Sequence, residues 1–256
     1  LDPGLLCRAY LSHPNIELNL STSIEHLEQT DKQWEVHDKV AACFTSDVVV
    51  IANNYLAKQF SQTADLPITP VRGQASYLPS TEQSSSIKAV ICGERTIFPA
   101  YNGSHTVAAS YLAQDESTEI RAAENTSNKL GVESLFQDQD QISRSISHAR
   151  VSIRASSNDH SPIVGMVPDV QQMQADYSQL ARNAKSAVTT PGAYLPGLYI
   201  STAHGSYGLA SCPISGEYLA SLINQDNLPL NQQLMDHLSP TRFVIRNLKK
   251  QRTEKI

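Results

Sequence analysis

The stretch Leu198-Tyr199-Ile200-Ser201-Thr202-Ala203-His204-Gly205-Ser206-Tyr207-Gly208-Leu209-Ala210 decides how the chain is read. Residues 198–202, opening on Leu198-Tyr199-Ile200, read as a strand of the buried type, as in a sheet with both sides covered. Gly205 and Gly208 permit a tight turn, and beyond it Ile214 with Tyr218, and Leu219 with Leu222 and Ile223, recur at helical spacing. Strand, glycine turn and helix together predict an α/β unit. A helix N-terminus presents unpaired N–H groups and a partial positive charge, so the turn suits a ligand that carries or develops negative charge. A tight turn in which small residues merely pack is the alternative for an isolated Gly-x-x-Gly. The hydrolase elbow Gly-x-Ser-x-Gly disagrees with the sequence, because His204 stands where its first glycine belongs.

Working outward, Val48-Val49-Val50-Ile51-Ala52 is a second strand of the buried, parallel type. Upstream of it, alternating runs at 16–20, 33–37 and 40–44 predict a small antiparallel meander. Downstream, Leu66-Pro67-Ile68-Thr69-Pro70 marks a crossover into a second, mainly antiparallel sheet with strands at 73–78, 88–92, 105–110 and 148–153. The acidic segment 115–136 predicts a helix pair on that sheet. Asp169 is placed to cap a helix whose Val170, Met173, Tyr177 and Leu180 fall on one face and read as core.

Composition narrows the function classes. The chain has 256 residues, 40% hydrophobic and 18% charged, which excludes a disordered chain and a small disulfide knot. No apolar run approaches the ~18 residues of a membrane span and no basic, apolar leader opens the chain, so it reads as soluble and cytoplasmic. It opens at Leu1-Asp2-Pro3-Gly4 without an initiator Met and reads as part of something longer. The cysteines Cys7, Cys43, Cys92 and Cys212 are scattered without a Cys-x-x-Cys pair, and neither they nor His160 and His204 form a metal motif, so no metal is expected. A net charge of -5 excludes a general polyanion binder. The clear basic cluster is the end of the chain, with Arg242, Arg246, Lys249, Lys250, Arg252 and Lys255 against Glu254. It is either a solvated end or an arm for nucleic acid. Arg154 closes the strand-like Arg150-Val151-Ser152-Ile153-Arg154, where a guanidinium can grip a carboxylate through two parallel hydrogen bonds or pair with Asp159.

Three motifs then occur in one order: Pro70-Val71-Arg72-Gly73-Gln74, Arg154 with Asp159-His160-Ser161-Pro162-Ile163-Val164-Gly165, and the turn 205–213. Together they resemble the D-amino-acid oxidase and glycine oxidase superfamily of flavoproteins. Leu6-Cys7-Arg8 with His13-Pro14-Asn15-Ile16, the segment 66–74, Val164-Gly165-Met166-Val167-Pro168-Asp169 and Pro240-Thr241-Arg242-Phe243-Val244-Ile245-Arg246-Asn247-Leu248 extend the resemblance over nearly the whole chain, toward its branch of bifunctional tRNA-modifying enzymes. The resemblance implies an α/β (α+β), D-amino-acid-oxidase-like fold. Residues 1–60 and 186–256 would be parts of an FAD/NAD(P)-binding domain, and 61–185 an inserted, mainly antiparallel substrate domain.

It also implies an FAD-dependent oxidoreductase acting on a CH–NH group. The reaction is removal of the carboxymethyl group from carboxymethylaminomethyl-(2-thio)uridine at the tRNA wobble position, leaving aminomethyl-uridine and glyoxylate. S-adenosylmethionine would serve only a methyltransferase half that these residues do not include. By the same resemblance Arg154 binds the substrate carboxylate and Tyr111 lies near the substrate. Gly205, Ser206, Tyr207, Gly208, Leu209 and Ala210 lie beside the flavin, and Ala52 and Asn53 near its ADP part. Arg242, Arg246, Lys249, Lys250 and Arg252 are the candidate tRNA contacts. The chain departs from the family pattern in lacking Gly-x-Gly-x-x-Gly, the dinucleotide fingerprint, and in having Asn54 where Gly is common and Ala155 where Pro is. Other readings of the same residues are an oxidase of a small free amino acid such as glycine or sarcosine, and a catalytically silent module that binds tRNA or a partner chain.

Overall fold

The computed structural model describes residues 2–31, 33–40, 43–136, 142 and 145–250. In chain order they form α1 (Pro3–Leu11), β1 (Ile24–Gln29), β2 (Trp34–Asp38), β3 (Cys43–Ser46), β4 (Val49–Ile51), β5 (Ile68–Pro79), β6 (Ile91–Cys92), β7 (Thr96–Ile97), β8 (Ser104–Ala108), β9 (Leu112–Ala113) and α2 (Ala122–Glu133). There follow β10 (His148–Ser157), β11 (Ile163–Pro168), α3 (Val170–Asp176), β12 (Tyr194–Thr202), α4 (Gly208–Asn224), α5 (Gln232–Leu238) and α6 (Thr241–Lys250). They divide into two compact units, Leu1–Ile68 with Ser157–Ile256, and Thr69–Ser156. Among the described residues no helix is long and apolar enough to cross a membrane.

In the first unit the two buried-type strands of the sequence lie side by side: β4 runs parallel to β12, with Val49 opposite Leu198 and Ile51 opposite Ile200. β11 pairs antiparallel on the other side of β12. Tyr218 and Leu219 of α4 pack with Val164 and Tyr199 of this sheet. The meander begins later than its alternation predicts. Residues 16–20 form no strand, and Ile16, Leu18 and Leu20 are exposed; the first strand is β1, where Leu27 stands opposite Val36. Alternation without a partner strand to bury its apolar face does not hold a strand. The Trp34 indole N–H donates to the Pro196 carbonyl at 2.8 Å, tying the meander to the start of β12. Gly197, at φ +73°, lies so close to the Asp47 carbonyl that a Cβ would meet its oxygen at 2.3 Å.

Asp169 caps α3 as expected, its Oδ1 accepting from the Gln172 N–H at 3.0 Å. Met173, Tyr177 and Leu180 are core, packed on Val244 and Leu248 of α6. This packing, with the pairing of β11 along β12, sets residues 157–185 in the first unit, so the boundary expected at 185 falls at 156.

The second unit is built on a sheet of strand order β10-β5-β8-β7-β6, with β9 also paired to β5. The strands expected at 73–78, 88–92, 105–110 and 148–153 all contribute to it. Leu78, Ile97, Val107, Val132 and Ile142 form its apolar core. The helix pair expected over 115–136 is a single helix, α2. Residues before it are held out of helical conformation because Arg72 takes the Ser117 and Glu119 carbonyls, with Nε to Ser117 O at 2.8 Å.

Candidate active site

Strand alternation divides the Arg72-Gly73-Gln74 motif between the two faces of β5. Arg72 and Gln74 are fully buried on the face toward α2. Arg72 Nη1 pairs with Glu124, whose second oxygen accepts from Ser110 Oγ. Gln74 donates to the Arg121 carbonyl at 2.9 Å and to Asn125 Oδ1 at 2.8 Å, and Asn128 Nδ2 returns to the Gln74 carbonyl at 2.8 Å. The result is a satisfied polar network that pins α2 and the 110–121 segment to the strand.

Gly73 does something different on the opposite face. A Cβ there would meet Arg154 Nη1 at 2.2 Å and Cζ at 2.7 Å, so the absence of a side chain is what lets the guanidinium lie against the strand. Arg154 Nη1 is buried and has no hydrogen-bond partner among the described residues. A buried donor left unpaired costs about 1–3 kcal/mol, more when charged, so such a group calls for a partner such as an anionic ligand or water. Tyr111 lies between Ser110, whose N–H bonds to the Gln74 carbonyl at 3.2 Å, and Leu112, which stands opposite Arg72. That register sets the Tyr111 backbone abreast of Gly73, with more than half of the residue's surface exposed. Glu124 and Ser110, which hold the strand's other face, had no sequence signal, since Glu124 sits on a helix 52 residues from Arg72.

In the first unit the cofactor candidates follow the carboxyl ends of two parallel strands, where open α/β sheets bind ligands. Thr202 Oγ1 donates to the Asn54 carbonyl at 2.8 Å and holds the two strand ends together. Ala52 is exposed, and Asn53 lines a cavity of about 380 Å³ with Ile24, Leu27, Val36, Val50 and Phe60. The Asn53 Oδ1 is buried, without a hydrogen-bond partner among the described residues. After β12 the chain turns through Ala203 (φ +58°) and Gly205 (φ +56°) into α4, whose N-cap Tyr207 makes no side-chain cap bond. Around Gly205 nothing lies within 4 Å of a Cβ position, while Ser206, Tyr207, Leu209 and Ala210 are exposed. The turn thus offers backbone and a helix N-terminus to its surroundings.

His204, which in the sequence only breaks the hydrolase elbow and joins no metal motif, braces this turn. Its Nε2 lies 3.1 Å from Ser201 Oγ and its Nδ1 2.8 Å from Ser211 Oγ, linking the strand end to the first turn of α4. Burial holds its pKa below the ordinary histidine value, which favours the neutral ring.

The basic end is only partly available to a partner. Arg242 is buried and donates to Asp159 through Nε at 3.0 Å and Nη2 at 3.1 Å, and Arg246 bonds the same carboxylate. Asp159, the partner considered for Arg154, is thus held within the first unit. Burial works to raise its pKa, but hydrogen bonds from Arg242, Arg246 and Ser157 outweigh that and hold it well below the usual carboxylate range. Lys249 and Lys250 are exposed at the end of α6, and Arg252 lies outside the described residues.

Comparison with known proteins agrees with this geometry. Residues 1–222 match the family model of the FAD dependent oxidoreductases, DAO. The chain is 34% identical over 252 residues to the tRNA 5-methylaminomethyl-2-thiouridine biosynthesis bifunctional protein MnmC of Stutzerimonas stutzeri, covering 96% of this chain and 38% of that protein. It is 33% identical over 255 residues to the protein of the same name from Pseudomonas syringae pv. syringae, covering 97% and 38%. The chain therefore spans under half the length of the curated relatives it matches. Among solved structures, glycine oxidase from Geobacillus kaustophilus superposes with a TM-score of 0.70 at 16% identity, over 89% of this chain and 54% of that one. Iminodiacetate oxidase from Chelativorans sp. BNC1 gives 0.65 at 17% identity, over 86% and 52%. At such identities these likenesses show the fold, which is the α/β, D-amino-acid-oxidase-like arrangement expected.

Proposed function

The chain belongs to the FAD-dependent oxidoreductase family, and we propose that it forms the substrate-binding and part of the flavin-binding portion of a tRNA-modifying oxidase. The reaction we assign oxidises the N-carboxymethyl carbon of carboxymethylaminomethyl-(2-thio)uridine at the wobble position, and hydrolysis then yields aminomethyl-uridine and glyoxylate. The observation that carries this reading is the buried, unpartnered Nη1 of Arg154, held flat against Gly73.

In this reading the second unit is the substrate domain. Arg154 takes the carboxylate of the N-substituted glycine arm, which fixes the orientation of the carbon that loses hydrogen. Tyr111, whose backbone runs abreast of Gly73, forms a wall of the pocket. The first unit is the flavin-binding portion. Its residues fit such a ligand at two points: Asn53 Oδ1 offers a desolvated acceptor for the ADP part, and the 205–210 turn offers close backbone approach at a helix N-terminus. The flavin, when bound, supplies the two-electron acceptor. His204 holds the turn in place through Ser201 and Ser211.

Lys249, Lys250 and Arg252 are the tRNA-facing charges of this proposal, with Arg246 at its edge and Arg242 committed to Asp159. In this proposal S-adenosylmethionine serves only a methyltransferase half outside these residues, and the compartment is the cytoplasm.

The test is anaerobic mixing of the FAD-loaded protein with tRNA bearing carboxymethylaminomethyl-uridine, with a relative's Gly-x-Gly-x-x-Gly segment joined upstream if these residues alone do not retain the flavin. Bleaching of the visible flavin absorbance that is lost in Arg154→Ala supports the assignment. Bleaching by glycine or sarcosine but not by the tRNA would transfer it to a free amino acid oxidase, and tRNA binding without flavin would leave a binding module.

A further inference from the structure

We propose that the face of the meander opposite Leu27, Trp34 and Val36 binds one divalent transition-metal ion of the zinc class, with His37 as central ligand, His26 and Cys43 beside it, and Glu35 or Glu28 supplying an oxygen.

Register puts these residues together. His26 stands opposite His37 across β1 and β2, and His37 opposite Cys43 across β2 and β3, so three donors form one row over all three strands. In the next row Glu28 stands opposite Glu35. Leu27 and Val36 pair on the other face, which leaves the donor face outside the apolar packing. Directly opposed side chains have Cβ atoms ~4.5–5.5 Å apart, a spacing that lets neighbouring side chains share one ion.

The observed distances are consistent with this. The His26 and His37 rings stack with centroids 4.3 Å apart at 6°. His37 Nε2 lies 3.4 Å from Glu35 Oε2 and 4.0 Å from Cys43 Sγ. Donor atoms of His26, Glu28 and His37, and separately of Glu35, His37 and Cys43, lie within 4.8 Å of one another. Tetrahedral zinc with ligands at ~2.0–2.3 Å needs donors ~3.3–3.8 Å apart, so side-chain rotation within each group of three is what would draw its donors onto an ion beside His37.

A solvated polar face with a stacked imidazole pair is the plain alternative. Against it stands the chemistry of the set: a nitrogen, a sulfur and an oxygen lie within 4.8 Å of one another. Mixed N, S and O donors select zinc-like ions over the hard, oxygen-seeking Mg²⁺ and Ca²⁺. A bound dication favours the thiolate form of a cysteine ligand. The linear spacing of the residues shows no zinc motif because the ligands are neighbours across strands. Bound metal would cross-link the meander.

The probe is Co²⁺, titrated into the reduced 256-residue chain and displaced by Zn²⁺. The expected result is visible d–d absorbance with a near-ultraviolet thiolate band, saturating at about one equivalent. Cys43→Ser should remove the thiolate band and leave weaker binding. His37→Gln should weaken binding by about 100-fold or more, since even outer-shell partners are worth ~10–100-fold, and should abolish the rise in Tm produced by Zn²⁺. Circular dichroism checks its fold, and the exposed His26→Gln, expected to lose about tenfold, serves if His37→Gln unfolds. A thiolate band that persists in Cys43→Ser, no saturable binding, or affinity unchanged in the folded histidine variants would overturn the proposal.

Discussion

The two faces of β5 carry guanidinium groups in opposite states. Toward α2, Arg72 is fully buried and bonded to Glu124, Gln74 and two backbone carbonyls. On the other face Arg154 lies over Gly73 with a buried Nη1 that has no hydrogen-bond partner among the described residues. A saturated guanidinium has no capacity left for a ligand and acts as a fixture of the fold, while an unsaturated one in a desolvated place is ready to bind an anion. Asp159 repeats the first case in the other unit, where Arg242 and Arg246 converge on one carboxylate.

The largest effect should come from breaking the saturated side. Arg72→Met leaves Glu124 and the Ser117 and Glu119 carbonyls without their partner, and should cost about 3–5 kcal/mol in urea unfolding. A loss under about 1 kcal/mol would remove the distinction between the two arginines.

Arg154→Met should behave oppositely. Stability should hold or rise by up to about 1–3 kcal/mol, the cost of the unpaired donor removed, while binding of an N-carboxymethyl amine, read from flavin absorbance in the FAD-loaded protein, should weaken about 100-fold, the value of one or two charge-assisted bonds. Gly73→Ala sharpens the comparison at lower amplitude. The added Cβ pushes the flexible end of Arg154 from its place, so the same titration should show roughly tenfold weaker binding with stability nearly unchanged. Combined with Arg154→Met it should add nothing, as expected for two changes acting on one contact.

The smallest effects are those of pH. Asp159 has its folded pKa depressed, so its contribution to stability is present above the ordinary carboxylate value and is lost as pH falls through the folded one; Asp159→Asn should flatten that acid limb in urea titrations. His204 also has a depressed pKa. Its contribution is present above the ordinary imidazole value, ~6.5, and is lost on acidification through the lower folded value, an effect His204→Gln should remove.

Much of the fold was legible because its signals are local. Residues 48–52 declare a buried strand by being apolar on both faces, residues 198–202 by their Leu198-Tyr199-Ile200 start, and they pair in parallel. Asp169 announces its helix through a cap three residues long, and Met173, Tyr177 and Leu180 through helical spacing. Where local pattern lacked its complement the reading failed: the alternation at 16–20 has no strand to meet, and the helix-prone segment before α2 is held open by Arg72. In the site, residue chemistry singled out Arg154 and a family resemblance singled out Tyr111, but neither indicated that Gly73 makes room for one and stands abreast of the other.

By itself the sequence determined which segments are strands and helices, because periodicity and capping are properties of residues close in the chain, and it determined the family through motifs of the same short range. The tertiary structure alone decided which charges are satisfied and which are free. Glu124 meets Arg72 across 52 residues, Arg242 meets Asp159 across 83, and His26, His37 and Cys43 fall into one row. Those outcomes depend on strand register and burial, which bring distant side chains within a few ångströms and set what each must pair with.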